Sequence, residues 1–357
     1  MPRRPRPLLA RWAAVLALTA AATVACDVAG VPSPELFAGL LAGMAVALWL
    51  GWDLTPPKRV LSGAQGVLGV ALGAYVQSDT VAAVGEHLLP VVAVCAATLA
   101  LTVVAGIGLA RVSDLDTPTA SFGMIAGGAS GIIAIADELG ADNRLVAVLQ
   151  YLRVLLILVL TPLVAATVFP GDHGGGLTAG GAADLATGEA ALFLAVSLAG
   201  GPLLARLTRL PAAALLGPML VAGGLTLAGA PFAGPLPGWL QSVAFAVIGL
   251  QVGLRFTMES LRAAGRALAP GLLAIGFLLV GCALLGLLLA PLAGVSTLDA
   301  YLATTPGGLY AVLATAVGSG ANTTFVLSVQ VLRLFVMLLA APVLARWLAR
   351  LREPAPA

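Results

Sequence analysis

Apolar residues in this chain come in blocks rather than in the alternation of a half-buried sheet. The blocks fall near residues 8-29, 34-51, 60-77, 88-110, 118-137 and 144-168, then 189-206, 212-229, 239-256, 269-291, 299-317 and 322-346. Runs of about 18 or more apolar residues read as membrane-crossing helices, because about 20 residues rising 1.5 Å each cover a hydrocarbon core of about 30 Å. The pattern predicts an all-α polytopic membrane protein. The first block follows Arg3, Arg4 and Arg6 and could pass for a cleaved leader. It is long for a signal core, and a similar block recurs near 189-206, so a retained helix is expected.

The few polar and helix-breaking positions inside these blocks are not scattered. Residues 62 to 165 lie over residues 242 to 345 at a constant offset of 180, without a gap. The offset pairs Gly69 with Gly249, Gly73 with Gly253, Pro90 with Pro270, Gly127-Gly128 with Gly307-Gly308, Gln150 with Gln330, Arg153 with Arg333 and Pro162 with Pro342. Apolar helices use such residues sparingly, so shared low complexity does not account for the match. The sequence divides into a first membrane repeat over 1-169, a Gly-rich linker over 170-188 without Lys or Arg, and a second membrane repeat over 189-357.

Charge then decides how the blocks cross. If all six in each half spanned, Arg206 and Arg209, and also Arg346, Arg350 and Arg352, would face outside, against the positive-inside rule. If 118-137 and 299-317 instead enter and return on the same side, every arginine-bearing loop falls on the cytoplasmic face. The loops 78-87, 170-188, 230-238 and 292-298, on the other face, carry no Lys or Arg. Each half then has five crossings and one Gly-broken re-entrant segment. An odd number makes the halves inverted copies in a bacterial inner membrane, with both termini cytoplasmic.

The two re-entrant candidates read Ile125-Ala126-Gly127-Gly128-Ala129-Ser130 and Thr305-Pro306-Gly307-Gly308-Leu309-Tyr310. Broken helices at matching places in two halves mark the binding site of a transporter, since irregular backbone at membrane depth is tolerated only when buried in protein or lining a cavity. A Gly pair would let backbone amides approach a ligand at the start of a half-helix. A plain kinked spanning helix is the blander alternative.

The last helix of each half adds Gln150 with Arg153 and Gln330 with Arg333, three residues apart on one face and about ten residues inside an apolar run. An arginine at that depth costs a few kcal/mol or more, so it faces the interior and has a partner. Asp137, Glu138 and Asp142 could reach Arg153, whereas Val317, Gly318 and Asn322 stand at the matching places beside Arg333. Two readings stay open: each guanidinium holds carbonyls freed by a broken segment, or the pair binds an anion. The candidate ligand-binding set is Gly127, Gly128, Ser130, Gln150, Arg153, Pro306, Gly307, Gly308, Tyr310, Gln330 and Arg333.

Composition removes other functions. The chain is 60% hydrophobic and 10% charged. Its three cysteines lie far apart, and its histidines, His87 and His173, are not clustered, so neither a disulfide framework nor a metal centre or other cofactor is expected. Ser130 has no histidine placed to activate it, and no enzyme is expected. Cytoplasmic segments of about fifteen residues or fewer leave no room for a DNA-reading element, which excludes a nucleic-acid partner. The expected partners are the bilayer, a small ligand and, as an option, further copies of the chain.

The motifs Gly127-Gly128, Glu138-Leu139-Gly140-Ala141-Asp142 and Gln150-Tyr151-Leu152-Arg153, repeated as Pro306-Gly307-Gly308, Gly320-Ala321-Asn322 and Gln330-Val331-Leu332-Arg333, resemble the AbrB membrane-protein family with its duplicated domain. Similar proteins carry two conventional labels, ammonia monooxygenase and regulator of gene expression. The first would need a redox metal on clustered ligands, which this chain lacks. The second could act only indirectly. Ala126, in place of the proline at 306, and Val317-Gly318, in place of Asp137-Glu138, depart from strict duplication. Two functional classes follow: a secondary transporter of a small solute, anionic on the sharper reading, and a membrane-bound sensor.

Overall fold

The computed structural model describes residues 8–29, 33–76, 85, 87–125, 141–169, 187–208, 213–258, 262, 265–307 and 309–350. Their regular structure is helical, with no strand among the described residues. Five stretches are long and apolar enough to cross a bilayer: Leu8–Val28, Leu88–Val112, Arg144–Val168, Gly188–Thr208 and Gly265–Ala293. Pro34–Leu50, Ala213–Leu227 and Gly238–Leu254 are shorter apolar helices. The chain is an all-α polytopic membrane protein.

The helices are α1 (Leu8–Val28), α2 (Pro34–Ala45), α3 (Lys58–Ala74), α4 (Leu88–Val112), α5 (Thr117–Met124), α6 (Asn143–Val168), α7 (Thr187–Thr208), α8 (Ala213–Leu227), α9 (Gly238–Leu254), α10 (Leu268–Ala293), α11 (Thr297–Thr304), α12 (Leu309–Gly318) and α13 (Thr323–Arg350). A π-helical turn, Val46–Leu50, prolongs α2 until Gly51 ends it in the left-handed region at φ 60°. The bounds of α3 and α9 differ by 180 residues at both ends, as do those of α5 and α11. The starts of α1 and α7, and of α2 and α8, also correspond to within a residue, although these pairs lie outside the aligned stretch of sequence. Local signals recur with the bounds. Asp116 caps α5 by accepting the Thr119 N–H at 3.3 Å, and Ser296 caps α11 by accepting the Asp299 N–H at 3.0 Å. The linker expected to reach residue 188 gives way to helix at Thr187, and residues 170–186 lie outside the described residues.

Glycines set the packing. A Cβ on Gly249 would lie 2.0 Å from the Leu36 carbonyl oxygen, and one on Gly39 would lie 2.3 Å from that of Ala246. Helices α2 and α9 therefore touch backbone to backbone, as small-xxx-small faces allow. Gly69 and Gly73 bring α3 equally close to Leu215 and Met219 of α8. The halves thus exchange partners, α2 of the first packing on α9 of the second and α8 of the second on α3 of the first.

Direction follows from the same contacts. Along α2 the chain advances from Leu36 to Gly43 as its neighbours advance from Gly249 to Leu254, so α2 and α9 run parallel. The matching helices α4 and α10 run antiparallel. Leu101 meets Gly281, Val91 and Cys95 share a cluster with Leu289 and Ala293, and Ala105 and Leu109 share one with Ile275. The helices at matching places of the two halves thus cross in opposite directions, the sense expected of inverted copies. Their apolar core is shared, with Leu36, Leu68, Ile157, Phe193, Leu215, Phe245, Leu302 and Val326 in one cluster.

Candidate functional site

Each half contains a helix too short to cross anything. Helix α11 ends at Thr304, the chain turns through Thr305, Pro306 and Gly307, and α12 begins at Leu309. After α12, the Asn322 N–H donates to Asp299 Oδ1 at 2.7 Å, so the segment returns to where it entered. In the first half the Asp142 N–H donates to Thr119 Oγ1 at 2.8 Å, which brings residue 142 back to the start of α5 in the same way. A spanning helix of about 20 residues would instead hold its ends about 30 Å apart. The second segment re-enters, and the ends of the first meet in the same way, with residues 126–140 between them outside the described residues.

Breaking a helix inside a membrane leaves its last carbonyls without partners. Here the last helix of each half supplies them. Gln150 Nε2 donates to the Phe122 and Ile125 carbonyls at 2.6 and 2.9 Å, and Arg153 Nη1 donates to the Met124 carbonyl at 2.9 Å. Arg153 Nη2 is tied to Gln150 Oε1 at 2.6 Å, which orients both groups. The second half repeats the pattern 180 residues on. Gln330 Nε2 donates to Leu302 and Thr305 at 2.8 and 3.2 Å, and Arg333 Nη1 to Thr304 and Thr305 at 3.2 and 2.5 Å, while Arg333 Nη2 donates to Gln330 Oε1. A positive group at a helix C-terminus also complements the helix dipole.

These side chains are deeply placed. Arg153 stands ten residues into α6 and Arg333 ten into α13, about 15 Å along each helix. Arg153 is 3% exposed and Arg333 4%, which rules out snorkelling to the interface. Among the described residues neither guanidinium has a carboxylate partner. Asp142, one candidate from the sequence, instead caps α6 by accepting the Arg144 and Leu145 N–H groups. Asp137 and Glu138 lie outside the described residues. In both arginines Nε is buried without a hydrogen-bond partner among the described residues.

Gln150, Arg153, Pro306, Gly307, Gln330 and Arg333 converge on this region, whereas Gly127, Gly128, Ser130 and Gly308 lie outside the described residues. Tyr310 lies in the first turn of α12, with its side chain also outside the description. One expectation needs correcting. The Gly307 amide does not point free toward a ligand, because it donates to the Thr305 carbonyl at 3.0 Å. Gly307 contributes space instead. At φ 106° its missing Cβ would lie 3.1 Å from Arg153 Nε, so the second broken segment rests on the arginine of the first half.

Three groups near the arginines gave no signal in the sequence. Cys282 of α10 lies within electrostatic reach of both guanidiniums and is hydrogen-bonded to Thr98 of α4, at the crossing of the inverted helices. The Tyr301 hydroxyl bonds Thr161 and Thr305, and its ring sits 5.7 Å from that of Phe169. Ser121, matching Tyr301 in the first half, is buried with an unpartnered hydroxyl. A lone cysteine, tyrosine or serine in an apolar run reads as an ordinary core residue, and only the packing of helices distant in sequence brings these groups together. Among the described residues no group of three or more His, Cys, Asp or Glu is placed to hold a metal ion.

The family described as "Transition state regulatory protein AbrB" matches residues 35–349. The chain is 31% identical over 348 residues to the "Putative regulator AbrB" of Escherichia coli (strain K12), covering 95% of this chain and 97% of the relative. It is 26% identical over 309 residues to "Uncharacterized protein YhjN" of Bacillus subtilis (strain 168), covering 82% and 80%. With that match running through both broken segments and both arginine helices, the chain belongs to the AbrB family.

Proposed function

We propose that this chain is a secondary transporter of a small anionic solute, built from two inverted repeats in the bacterial inner membrane with both termini cytoplasmic. The observation that carries the reading is the contact of Gly307 with Arg153, which joins the broken segment of one half to the buried arginine of the other. Inverted halves that meet at a broken helix near the midplane give a site that either face of the membrane can open. Two buried guanidiniums with no carboxylate partner among the described residues favour negative charge. The arginine-free loops 230-238 and 292-298 support the orientation.

The regulatory wording attached to the family and to the Escherichia coli relative fits the same site by an indirect route, in which binding or uptake of the solute is what changes expression. Counterflow in proteoliposomes tests the proposal. Vesicles preloaded with a mixture of small organic anions should accumulate a labelled member of that mixture, and the dissipation of accumulation by excess unlabelled solute should depend on the protein. Ligand binding without flux in sealed vesicles would overturn transport and leave a sensor.

A further inference from the structure

Arg153 does not use all of its donors on the staple. Nη1 serves the Met124 carbonyl and Nη2 serves Gln150, while Nε is buried without a partner. The side edge of a guanidinium, formed by Nε and Nη2, is the edge that pairs with a carboxylate through two parallel hydrogen bonds. That edge faces Gly307. A Cβ there would stand 3.1 Å from Nε and 3.3 Å from Nη2, so any other residue at 307 would cover it. The bare glycine, at φ 106°, borders a buried donor, Nε, that has no hydrogen-bond partner among the described residues.

The second arginine borders the same turn. Arg333 Nη1 holds the Thr305 carbonyl, two residues before Gly307, so the guanidiniums bracket about 7 Å of chain. Two half-sites become one place. Its charge can be weighed: two guanidiniums contribute two positive charges, and the C-terminal ends of α5 and α11 offset roughly half a charge each. Among the described residues about one positive charge remains, which a single carboxylate neutralises. Cys282, within electrostatic reach of both arginines, stands at this place from the α4–α10 crossing.

We propose that the Nε–Nη2 edge of Arg153 above Gly307 is the carboxylate-binding edge of one central site shared by both halves, and that the solute is a small monocarboxylate. The inference rests on the transporter reading for its solute, but its test reads binding alone. In the full chain carrying Cys26→Ser and Cys95→Ser, Cys282 is the remaining thiol. Sodium acetate should slow its modification by a small methanethiosulfonate reagent and raise the thermal midpoint. Acetamide, the neutral isostere, and chloride at matched ionic strength should do neither. Gly307→Ala and Arg153→Lys should each raise the half-protecting acetate concentration by about tenfold or more, the equivalent of one lost carboxylate hydrogen bond.

Equal protection by chloride would overturn the carboxylate assignment, and unchanged protection in Gly307→Ala would overturn the placement. If Arg153→Lys does not fold, the comparison of acetate with acetamide and chloride in the otherwise unaltered chain still decides. Acetate protection without flux keeps this site and sinks transport, whereas flux of other anions without acetate protection sinks this site and keeps transport.

Discussion

Gly249→Leu is expected to abolish the folded protein: the variant should leave the membrane as aggregate, with no cooperative thermal transition in detergent. The cause is geometric. The first added atom would stand 2.0 Å from the Leu36 carbonyl oxygen and 3.0 Å from the Leu40 nitrogen. Side chains can rotate away from an overpacked site at a cost of about 1–3 kcal/mol, but here the obstacle is backbone of a facing helix. Relief requires α2 and α9 to separate along the face where Gly39, Gly43 and Gly253 also touch, so the cost should exceed about 3 kcal/mol. Gly276→Leu on α10 is the control. Nothing lies within 4 Å of a Cβ there, and the change should stay within about 0.5 kcal/mol. Equal stability of the two variants, measured as the monodisperse fraction after a temperature ramp, would remove the α2–α9 contact from the account.

Gln150→Leu should cost more stability than Arg153→Leu, although the arginine carries the charge. Removing the glutamine strands two carbonyls, Phe122 and Ile125, and frees the Arg153 Nη2 that it orients. Hydrogen bonds between helices in membranes average about 0.6 kcal/mol and reach about 1.7, so three such losses come to about 2 kcal/mol or more. Removing the arginine strands one carbonyl and the glutamine oxygen, but it also removes a buried charge whose cost is a few kcal/mol. The two effects oppose each other and leave a smaller net loss. Binding should vanish in both variants. Detergent unfolding midpoints give the order, and a greater loss in Arg153→Leu would mean that the charge is compensated by a group outside the staple.

Much of this architecture was legible in the sequence because it rests on residues that apolar helices use rarely. The gapless offset of 180 and the placement of arginines pointed to inverted halves, and the antiparallel crossing of α4 and α10 has that sense. Gln150 and Arg153, singled out by depth and spacing, do face the interior. Of the partners the sequence offered, carbonyls freed by the broken segment are the ones met, those of Phe122, Met124 and Ile125; which carbonyls they are was not legible, because every residue carries one and no side chain announces it. Cys282 and Tyr301 were missed because their roles depend on contacts between helices far apart in the sequence, Cys282 with Thr98 and Tyr301 with Thr161. At Gly307 the amide is satisfied within the turn, and the glycine matters for the side chain it lacks; Gly127, Gly128 and Gly308 lie outside the described residues. Arg153→Ala or Arg333→Ala would not test ligand binding alone, because losing either guanidinium strands carbonyls as well as any ligand.

Everything proposed about a shared central site depends on the halves lying inverted across the membrane, and sidedness of labelling tests that directly. In a cysteine-free chain, Asp114→Cys lies in the exposed turn between α4 and α5, and Thr297→Cys lies at the exposed start of α11, beside the matching turn between α10 and α11. A membrane-impermeant maleimide applied to intact cells should label Thr297→Cys, and should reach Asp114→Cys only after the membrane is opened. Labelling of both positions from the same side would contradict the inversion, and with it the single site between Arg153 and Arg333.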